Sequence, residues 1–238
     1  GAGALGVVSA GALALLLLVR SGPSNDRDWV VDHARPAEVN VVGEAIHIRG
    51  LRDFRHNENG VSQEKYLDES YHVGEAVAVW FALAPFAERF RGLAHSFVSF
   101  EFAGGRFVSV SVEARREADE AYGLLGGMMR AFELTYVVGT EEDLIGQRAV
   151  RGDTLYLYPS VATPEQAGAL FRDMMERASA LNDQPEFYNT LTNNCVTNLR
   201  DHVNRIAPDP LPWGWGILLP GFSDRWAQKH GLLATTLE

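Results

Sequence analysis

The sequence predicts an α+β protein, in which antiparallel strands are grouped apart from helices. Three observations indicate this class. Two runs of alternating polar and apolar residues meet at Gly104-Gly105, as in a β-hairpin. A first helix has clear start signals at Thr163, and a second begins near Cys195. A chain of 238 residues with 46% hydrophobic residues can form a single packed core, which excludes wholesale disorder.

The first segment of the chain is apolar throughout. Residues 1–19 carry no charge, and Arg20 is the first charged residue. At 1.5 Å per residue such a helix is long enough to cross a hydrocarbon core of about 30 Å. A signal peptide is less favoured, because a basic region and a clear cleavage site are missing, and a buried helix is a further alternative. The sequence therefore predicts a transmembrane helix over residues 1–20 and one domain over residues 21–238, with Trp29 as a candidate interfacial anchor.

The elements that follow are predicted from local patterns. Short strands are expected at 39–49, 50–56, 134–138, 145–150 and 154–158, and a helix at 117–133. Thr163 is a suitable N-cap and Pro164 a suitable first helical residue, with apolar residues at helical spacing behind them. A second helix is predicted over Cys195–Ile206, because prolines at 208, 210 and 212 stop it.

Burial predicts the register of the hairpin over residues 94–114, because a slip by one residue would invert both faces. Its apolar face consists of Val98, Phe100, Phe102, Val108, Val110 and Val112. If these residues share one buried face, His95 lies opposite Glu113 on the other face, with Cβ atoms about 4.5–5.5 Å apart. A carboxylate there would fix the tautomer of the imidazole and stabilise its protonated form. A surface ion pair at a strand end is the alternative.

Charge and cysteine content exclude several classes of function. The formal net charge of −10 argues against a nucleic-acid partner, which needs a cationic surface, and against basic attachment to anionic lipid. Cys195 is the only cysteine, so an internal disulfide and a cysteine-based zinc site are excluded. The histidines lack the spacing of a helical metal site, and the sequence has no glycine-rich phosphate loop. We therefore expect no metal and no cofactor.

Cys195 is the candidate nucleophile. It follows two asparagines in the first turn of its predicted helix, where unpaired N–H groups and the helix dipole favour a thiolate and could stabilise an oxyanion. A buried structural cysteine is the alternative. His202 is a competing base, but it lies about two turns further along the helix, so His95 is the better candidate. Asn194 could donate to the oxyanion or only cap the helix, and Tyr188 could line the pocket or pack under its loop.

Four segments carry a family resemblance: LAHSFVSFEF, SVSVEARRE, EFYNTLTNNCVTNLRDHVN and LLPGFSD. Together they resemble the Lnb N-terminal periplasmic domain family of bacterial envelope proteins, over most of residues 24–233. That family is similar to the permuted papain-like (NlpC-type) hydrolases and acyltransferases, such as lecithin:retinol acyltransferase, in which the histidine strand precedes the cysteine helix. The resemblance implies an antiparallel sheet packed on a helix that carries the nucleophile Cys195, with His95 as base and Glu113 behind it.

The resemblance also implies an activity. The expected enzyme is a cysteine-dependent lipoprotein N-acyltransferase, which moves an acyl chain from a glycerophospholipid to the α-amine of a diacylated lipoprotein cysteine through a Cys195 thioester. Its expected location is the bacterial inner membrane, with the catalytic domain in the periplasm and Trp213, Trp215 and Trp226 either at the membrane surface or in the core. Alternatives are a thiol-dependent phospholipase, a cell-wall amidase or peptidase of the same fold, and a non-catalytic envelope module.

Overall fold

The computed structural model describes residues 22–86, 91–120, 123, 126–127 and 131–235. The α+β prediction is confirmed. The strands are β1 Glu38–Val42, β2 Ala45–Arg52, β3 Arg55–Asn57, β4 Gly60–Gln63, β5 Tyr66–His72, β6 Ala76–Pro85, β7 Ala94–Phe102, β8 Arg106–Arg115, β9 Glu133–Gly139 and β10 Tyr156–Pro159. The helices are α1 Glu141–Leu144, α2 Gly146–Arg151, α3 Pro164–Asp183, α4 Cys195–Ile206, α5 Trp215–Leu218 and α6 Ser223–Lys229, with short 3₁₀ turns at Val31–His33, Val73–Glu75 and Pro220–Phe222.

The main sheet is mixed, which corrects the prediction of an antiparallel sheet. Over the described ranges it runs β1-β2-β9-β8-β7-β6-β10, with β5 also paired to β2. Its pairs are antiparallel except for β2 and β9, which meet in parallel at Arg52 and Gly139. These two strands are far apart in the chain, so no hairpin turn forces them to run in opposite directions. A Cβ at Gly139 would lie 2.8 Å from the Arg52 carbonyl oxygen, so the contact requires glycine.

The fold class needs a second correction at the N-terminus. Across the part of the chain that the structure describes, no helix is both long enough and apolar enough to span a membrane. The transmembrane helix predicted over residues 1–20 lies outside the described residues. The interpretation of Trp29 as an interfacial anchor is wrong, because its side chain is buried under the Arg115 guanidinium, 4.1 Å from the ring centroid. Its Nε1 donates a hydrogen bond to the Asn25 carbonyl oxygen, so the indole is satisfied within the protein.

The predicted hairpin is confirmed, including its register. Strands β7 and β8 pair Val98 with Val110 and Phe100 with Val108. The apolar face packs on α3, where Phe171 meets Phe100 edge to face at 5.1 Å between ring centroids. The opposite face is also buried, because α1 and α2 cover it. A register slip by one residue would therefore move polar side chains into the apolar layer against α3 and apolar side chains into the polar layer.

Both long helices begin where the sequence predicts. Thr163 and Gln166 form a capping box at the start of α3, in which each side chain accepts a hydrogen bond from the other residue's backbone N–H. Helix α4 starts at Cys195 and ends at Ile206, with Asn194 as its N-cap. Its hydrophobic side packs into the main core through Val196 and Leu199. The Cys195 end of α4 is therefore held by both a cap and a core contact.

Two local predictions need comment. The strand predicted at 145–150 is wrong, because Gly146–Arg151 forms helix α2, which ends at Gly152 with a left-handed φ of 71°. Thr140 caps the preceding α1, because its side chain accepts a hydrogen bond from the Asp143 N–H. Helix α2 follows α1 after a single residue, Ile145. Much of the helix predicted at 117–133 falls outside the described residues, and its last residue, Glu133, begins β9 instead.

A buried ion pair anchors α1 to the sheet. Arg52 donates to both carboxylate oxygens of Asp143, at 2.7 and 2.9 Å, and the Phe54 N–H donates to the same carboxylate at 2.9 Å. Both side chains are buried, so removing one charge leaves the other without compensation. Asp143→Asn should destabilise the protein by about 3 kcal/mol in urea denaturation. The matched change at the exposed Asp201 should cost less than about 1 kcal/mol; equal losses for the two variants would contradict this account.

Candidate active site

Three of the predicted site residues meet in one place. The hairpin brings His95 on β7 to Glu113 on β8, with 3.0 Å between Nε2 and Oε1. Helix α4 brings its first residue, Cys195, to the same imidazole, and Cys195 is among the groups that raise the pKa of His95. His95 and Cys195 are both buried and line one pocket. A thiol, an imidazole and a carboxylate in this order are the groups that nucleophilic thiol catalysis requires.

Ser111 bridges the imidazole and the carboxylate. Its hydroxyl donates to Glu113 Oε1 at 2.7 Å, and its oxygen lies 2.6 Å from His95 Nε2. This arrangement favours the tautomer in which Nε2 carries the proton and donates it to Ser111 and Glu113. The other ring nitrogen, Nδ1, is then available to the Cys195 thiol. The sequence analysis gave Ser111 no role, although the alternation of side chains along β8 puts it on the same face as Glu113.

Burial disfavours the charged forms of His95 and Glu113, but each charge stabilises the other. Burial lowers the pKa of His95, but the Glu113 carboxylate and the hydrogen bonds with Cys195 and Glu113 outweigh it and raise the pKa to about 9. For Glu113, burial favours the neutral acid, but the charge and hydrogen bond of His95 hold its pKa well below the usual range. At neutral pH the imidazole is therefore protonated.

Asn194 acts as the cap of α4. Its Oδ1 accepts from the N–H groups of Val196 and Thr197, both at 2.9 Å, and its Nδ2 donates to the Thr190 carbonyl oxygen at 2.7 Å. The capping role is therefore visible in the structure, while donation to an oxyanion stays a prediction. Within the described ranges, the backbone N–H of Cys195 has no hydrogen-bond partner. This amide is therefore a candidate donor to the oxyanion that forms on the oxygen of a carbonyl group attacked by the Cys195 sulfur.

Cys195 lines a pocket of about 350 Å³ whose wall has both apolar and cationic residues. Tyr188 contributes to the wall, which is one of the two roles predicted for it. The apolar lining residues are Phe86, Leu93, Ala94, Val112, Val137, Leu144, Leu218 and Pro220. The cationic lining residues are Arg52, Arg116, Arg148 and Arg151, and Asp32, His33 and Gln147 also line the pocket. Such a mixture suits an amphiphilic substrate with an apolar chain and a charged group.

His33 is a pocket residue that sequence reasoning missed. It lies in the 3₁₀ turn Val31–His33, and burial lowers its pKa to about 4, with Glu113 opposing that effect. Its imidazole is therefore neutral at physiological pH and does not compete with His95 for the charge of Glu113. No local pattern marks such a position, because the turn reaches the site only through tertiary packing.

The competing histidine is engaged elsewhere. His202 Nε2 lies 2.7 Å from the Tyr136 hydroxyl, and its Nδ1 is hydrogen-bonded to the Asp173 carboxylate. His202 is buried in this contact and does not line the pocket of Cys195. The sequence argument that preferred His95 as base therefore agrees with the positions of both rings.

The segment LLPGFSD positions the start of β7. The Gly221 N–H donates to the Gly92 carbonyl oxygen at 3.2 Å, and Arg91 Nε donates to the Gly221 carbonyl oxygen at 2.9 Å. A Cβ at Gly221 would lie 1.3 Å from the Arg91 carbonyl oxygen, so this approach admits only glycine. Arg91 also pairs with the buried carboxylate of Asp224. These contacts hold the turn just ahead of Ala94 and therefore position His95.

The raised pKa of His95 can be measured directly by NMR titration of its imidazole. We expect a midpoint near pH 9 in the native protein. Glu113→Gln removes the main effect that raises this pKa, so the midpoint should move to lower pH. Because the folded pKa lies above the ordinary 6.5, this group stabilises the fold fully below pH 6.5 and loses that contribution as the pH rises through 9. Glu38→Gln, at an exposed ion pair with Arg49, is the control and should leave the His95 midpoint unchanged. An unshifted midpoint in Glu113→Gln would contradict the assigned charge pair.

Comparison with known proteins agrees with these observations. The family model of the Lnb N-terminal periplasmic domain matches residues 62–221, which is more than half of the chain and includes His95, Glu113 and Cys195. No curated protein and no solved structure matches the chain significantly. The chain thus belongs to the Lnb N-terminal periplasmic domain family and is a periplasmic domain.

Proposed function

We propose that this domain is a lipoprotein N-acyltransferase that uses Cys195 as its nucleophile. The observation that carries the proposal is the meeting of Cys195 with the paired His95 and Glu113 at the wall of one pocket, which has both apolar and charged lining residues. The acyl donor is a glycerophospholipid, and the acceptor is the α-amine of a diacylated lipoprotein cysteine. Family membership supports this choice of reaction, as does the position of the histidine ahead of the cysteine, which is the order of the permuted papain-like enzymes.

The first half-reaction transfers the acyl group to sulfur. The thiol proton resides on His95, and the Cys195 thiolate attacks the ester carbonyl of the donor. The carbonyl oxygen becomes an oxyanion, to which the Cys195 N–H donates. As the carbon–oxygen ester bond breaks, the imidazolium gives its Nδ1 proton to the departing alkoxide of the lysophospholipid. Glu113 and Ser111 hold Nε2 throughout, which keeps Nδ1 directed at the reacting atoms.

The second half-reaction transfers the acyl group to nitrogen. The α-amine of the lipoprotein attacks the thioester carbonyl while the neutral His95 accepts its proton. The carbon–sulfur bond then breaks, an amide forms, and the thiolate with its imidazolium is restored. A thioester suits this step, because an amine displaces a thiolate more readily than an alkoxide. The cycle thus ends with the Cys195 thiolate and the His95 imidazolium with which it began, and no step needs an oxidant or a reductant.

The placement of the tryptophans supports activity at a membrane surface. Trp215 is 76% exposed and begins α5, whose Leu218 lines the pocket. Trp213 is also exposed, and it stacks on the Arg200 guanidinium. Trp226 instead packs against the core and its ring contacts His230, with 4.4 Å between centroids. We therefore assign Trp213 and Trp215 to contact with lipid at the periplasmic face of the inner membrane, and Trp226 to the core.

Intact-mass measurement of the full chain after incubation with phospholipid vesicles tests the proposal. The native protein should gain one acyl group, and Cys195→Ala should gain none, because the thioester needs the sulfur. Adding a diacylated lipopeptide should discharge the adduct and give a triacylated product. Release of free fatty acid alone would identify a phospholipase instead. Absence of any adduct on the native chain would leave a non-catalytic envelope module.

Glu113→Gln tests the role of the carboxylate in the reaction itself. The amide keeps the size of the side chain but cannot stabilise the imidazolium, so acyl transfer should slow by about 10²-fold or more. The rate of lipopeptide acylation is the measurement, with Glu38→Gln as the matched control at an exposed site. Full activity in Glu113→Gln would show that the carboxylate is only structural.

A further inference from the structure

The pocket of Cys195 has cationic lining residues that the reaction above does not use. Arg52, Arg116, Arg148 and Arg151 all line the pocket, in a protein whose formal net charge is −10. Arg52 is paired with the buried Asp143. Over the described ranges, the other three arginines have no carboxylate within salt-bridge distance.

The carboxylates of the pocket do not neutralise this set. Glu113 is paired with the imidazolium of His95, and Asp32 is the other carboxylate on the wall. The Asp32 carbonyl oxygen accepts from Arg52, but its carboxylate makes no salt bridge with an arginine of the pocket. Among the described residues that line the pocket, Asp32 is therefore the one carboxylate without a salt bridge, against three guanidinium groups that also lack one. This excess of positive charge favours an anionic ligand beside the nucleophile.

Arg148 is the most firmly held of the three. Its Nη1 donates to the Leu144 carbonyl oxygen at 2.6 Å, and its guanidinium lies over the Phe97 ring, 4.7 Å from the centroid. Burial lowers its pKa, the Glu113 charge opposes this, and Arg151 adds to the lowering. A partly buried guanidinium that is repelled by a neighbouring arginine is costly unless an anion compensates it. One of its five N–H donors is used in the fold, so the planar group can still offer a paired contact to phosphate.

We propose that Arg148, together with Arg116 and Arg151 of the same pocket wall, binds the phosphate group of the acyl donor. This inference rests on the proposed function and deepens it, because it names the charged group by which the donor is selected. Phosphate and guanidinium match in geometry, since two N–H groups can donate to two phosphate oxygens. The ester carbonyl of a glycerophospholipid lies a few bonds from its phosphate, so both can occupy the one pocket that holds Arg148 and Cys195. Arg148 is a specificity-determining residue and takes no part in bond making.

Comparing an acyl donor that has a phosphate group with one that lacks it separates phosphate binding by Arg148 from catalysis. The full chain is incubated in neutral detergent micelles with phosphatidylglycerol or with diacylglycerol, and the rate of Cys195 acylation is measured by intact mass. The native protein should prefer the phosphate-bearing donor by at least about 10-fold, as expected for a hydrogen-bonded charge pair. Arg148→Gln should reduce this ratio by about 10-fold, and Arg148→Lys should restore part of it. Arg49→Gln, which removes an exposed arginine paired with Glu38, should leave the ratio unchanged.

A second measurement identifies the source of the phosphate. Glycerol 3-phosphate should slow alkylation of Cys195 by iodoacetamide, and Arg148→Gln should abolish this protection. Protection by inorganic phosphate together with equal acylation by both lipids would indicate a free-phosphate site and overturn the role in donor selection. Should Arg148→Gln fail to fold, Arg116→Gln gives the same ratio test. An unchanged ratio in the folded variants overturns the inference, whereas no acylation of Cys195 by either donor overturns the proposed function as well.

Discussion

The site depends on the register between β7 and β8. The pairing of Val98 with Val110 places the apolar side chains of both strands against α3. The same pairing brings His95 to Glu113 on the opposite face. Because side chains alternate along a strand, a shift of one residue would separate these two groups and bury polar atoms in the core. The stability of the hairpin and the assembly of the imidazole with its carboxylate are therefore consequences of one packing arrangement.

The thiol reaches this arrangement through the start of a helix. Asn194 satisfies two N–H groups of the first turn of α4 and is itself held by the Thr190 carbonyl oxygen. The cap fixes where the helix begins, and so it fixes the position of Cys195 relative to the sheet. The contact between Gly221 and Arg91 likewise fixes the position of the turn ahead of β7. The reactive groups are carried by regular elements with fixed ends, which suits a site that must hold an imidazolium close to a sulfur.

The sequence was sufficient to predict an element where the segment itself contains turn residues, a polar–apolar alternation or a helix cap. The Gly-Gly turn and alternating strands predicted the hairpin, and the cap residues at Thr163 and Asn194 predicted the starts of α3 and α4. Such local signals failed for 145–150, because Gly146–Arg151 forms the short helix α2, which follows directly on α1 and has no side-chain cap of its own. Ser111 as a bridge, His33 as a pocket residue and the arginines of α2 could not be assigned, because their roles arise from contacts between distant segments. The parallel meeting of β2 and β9 is of the same kind.

The central claim is that His95 makes Cys195 a nucleophile, whatever the acyl acceptor. The most direct measurement is the second-order rate constant for alkylation of Cys195 by iodoacetamide at pH 7, in the native protein and in His95→Gln. Cys195 is the only cysteine, so the rate reports on this sulfur alone. Because His95 is the base that accepts the thiol proton, we predict a rate at least about 10-fold higher in the native protein. Equal rates in the two proteins, both folded, would contradict it.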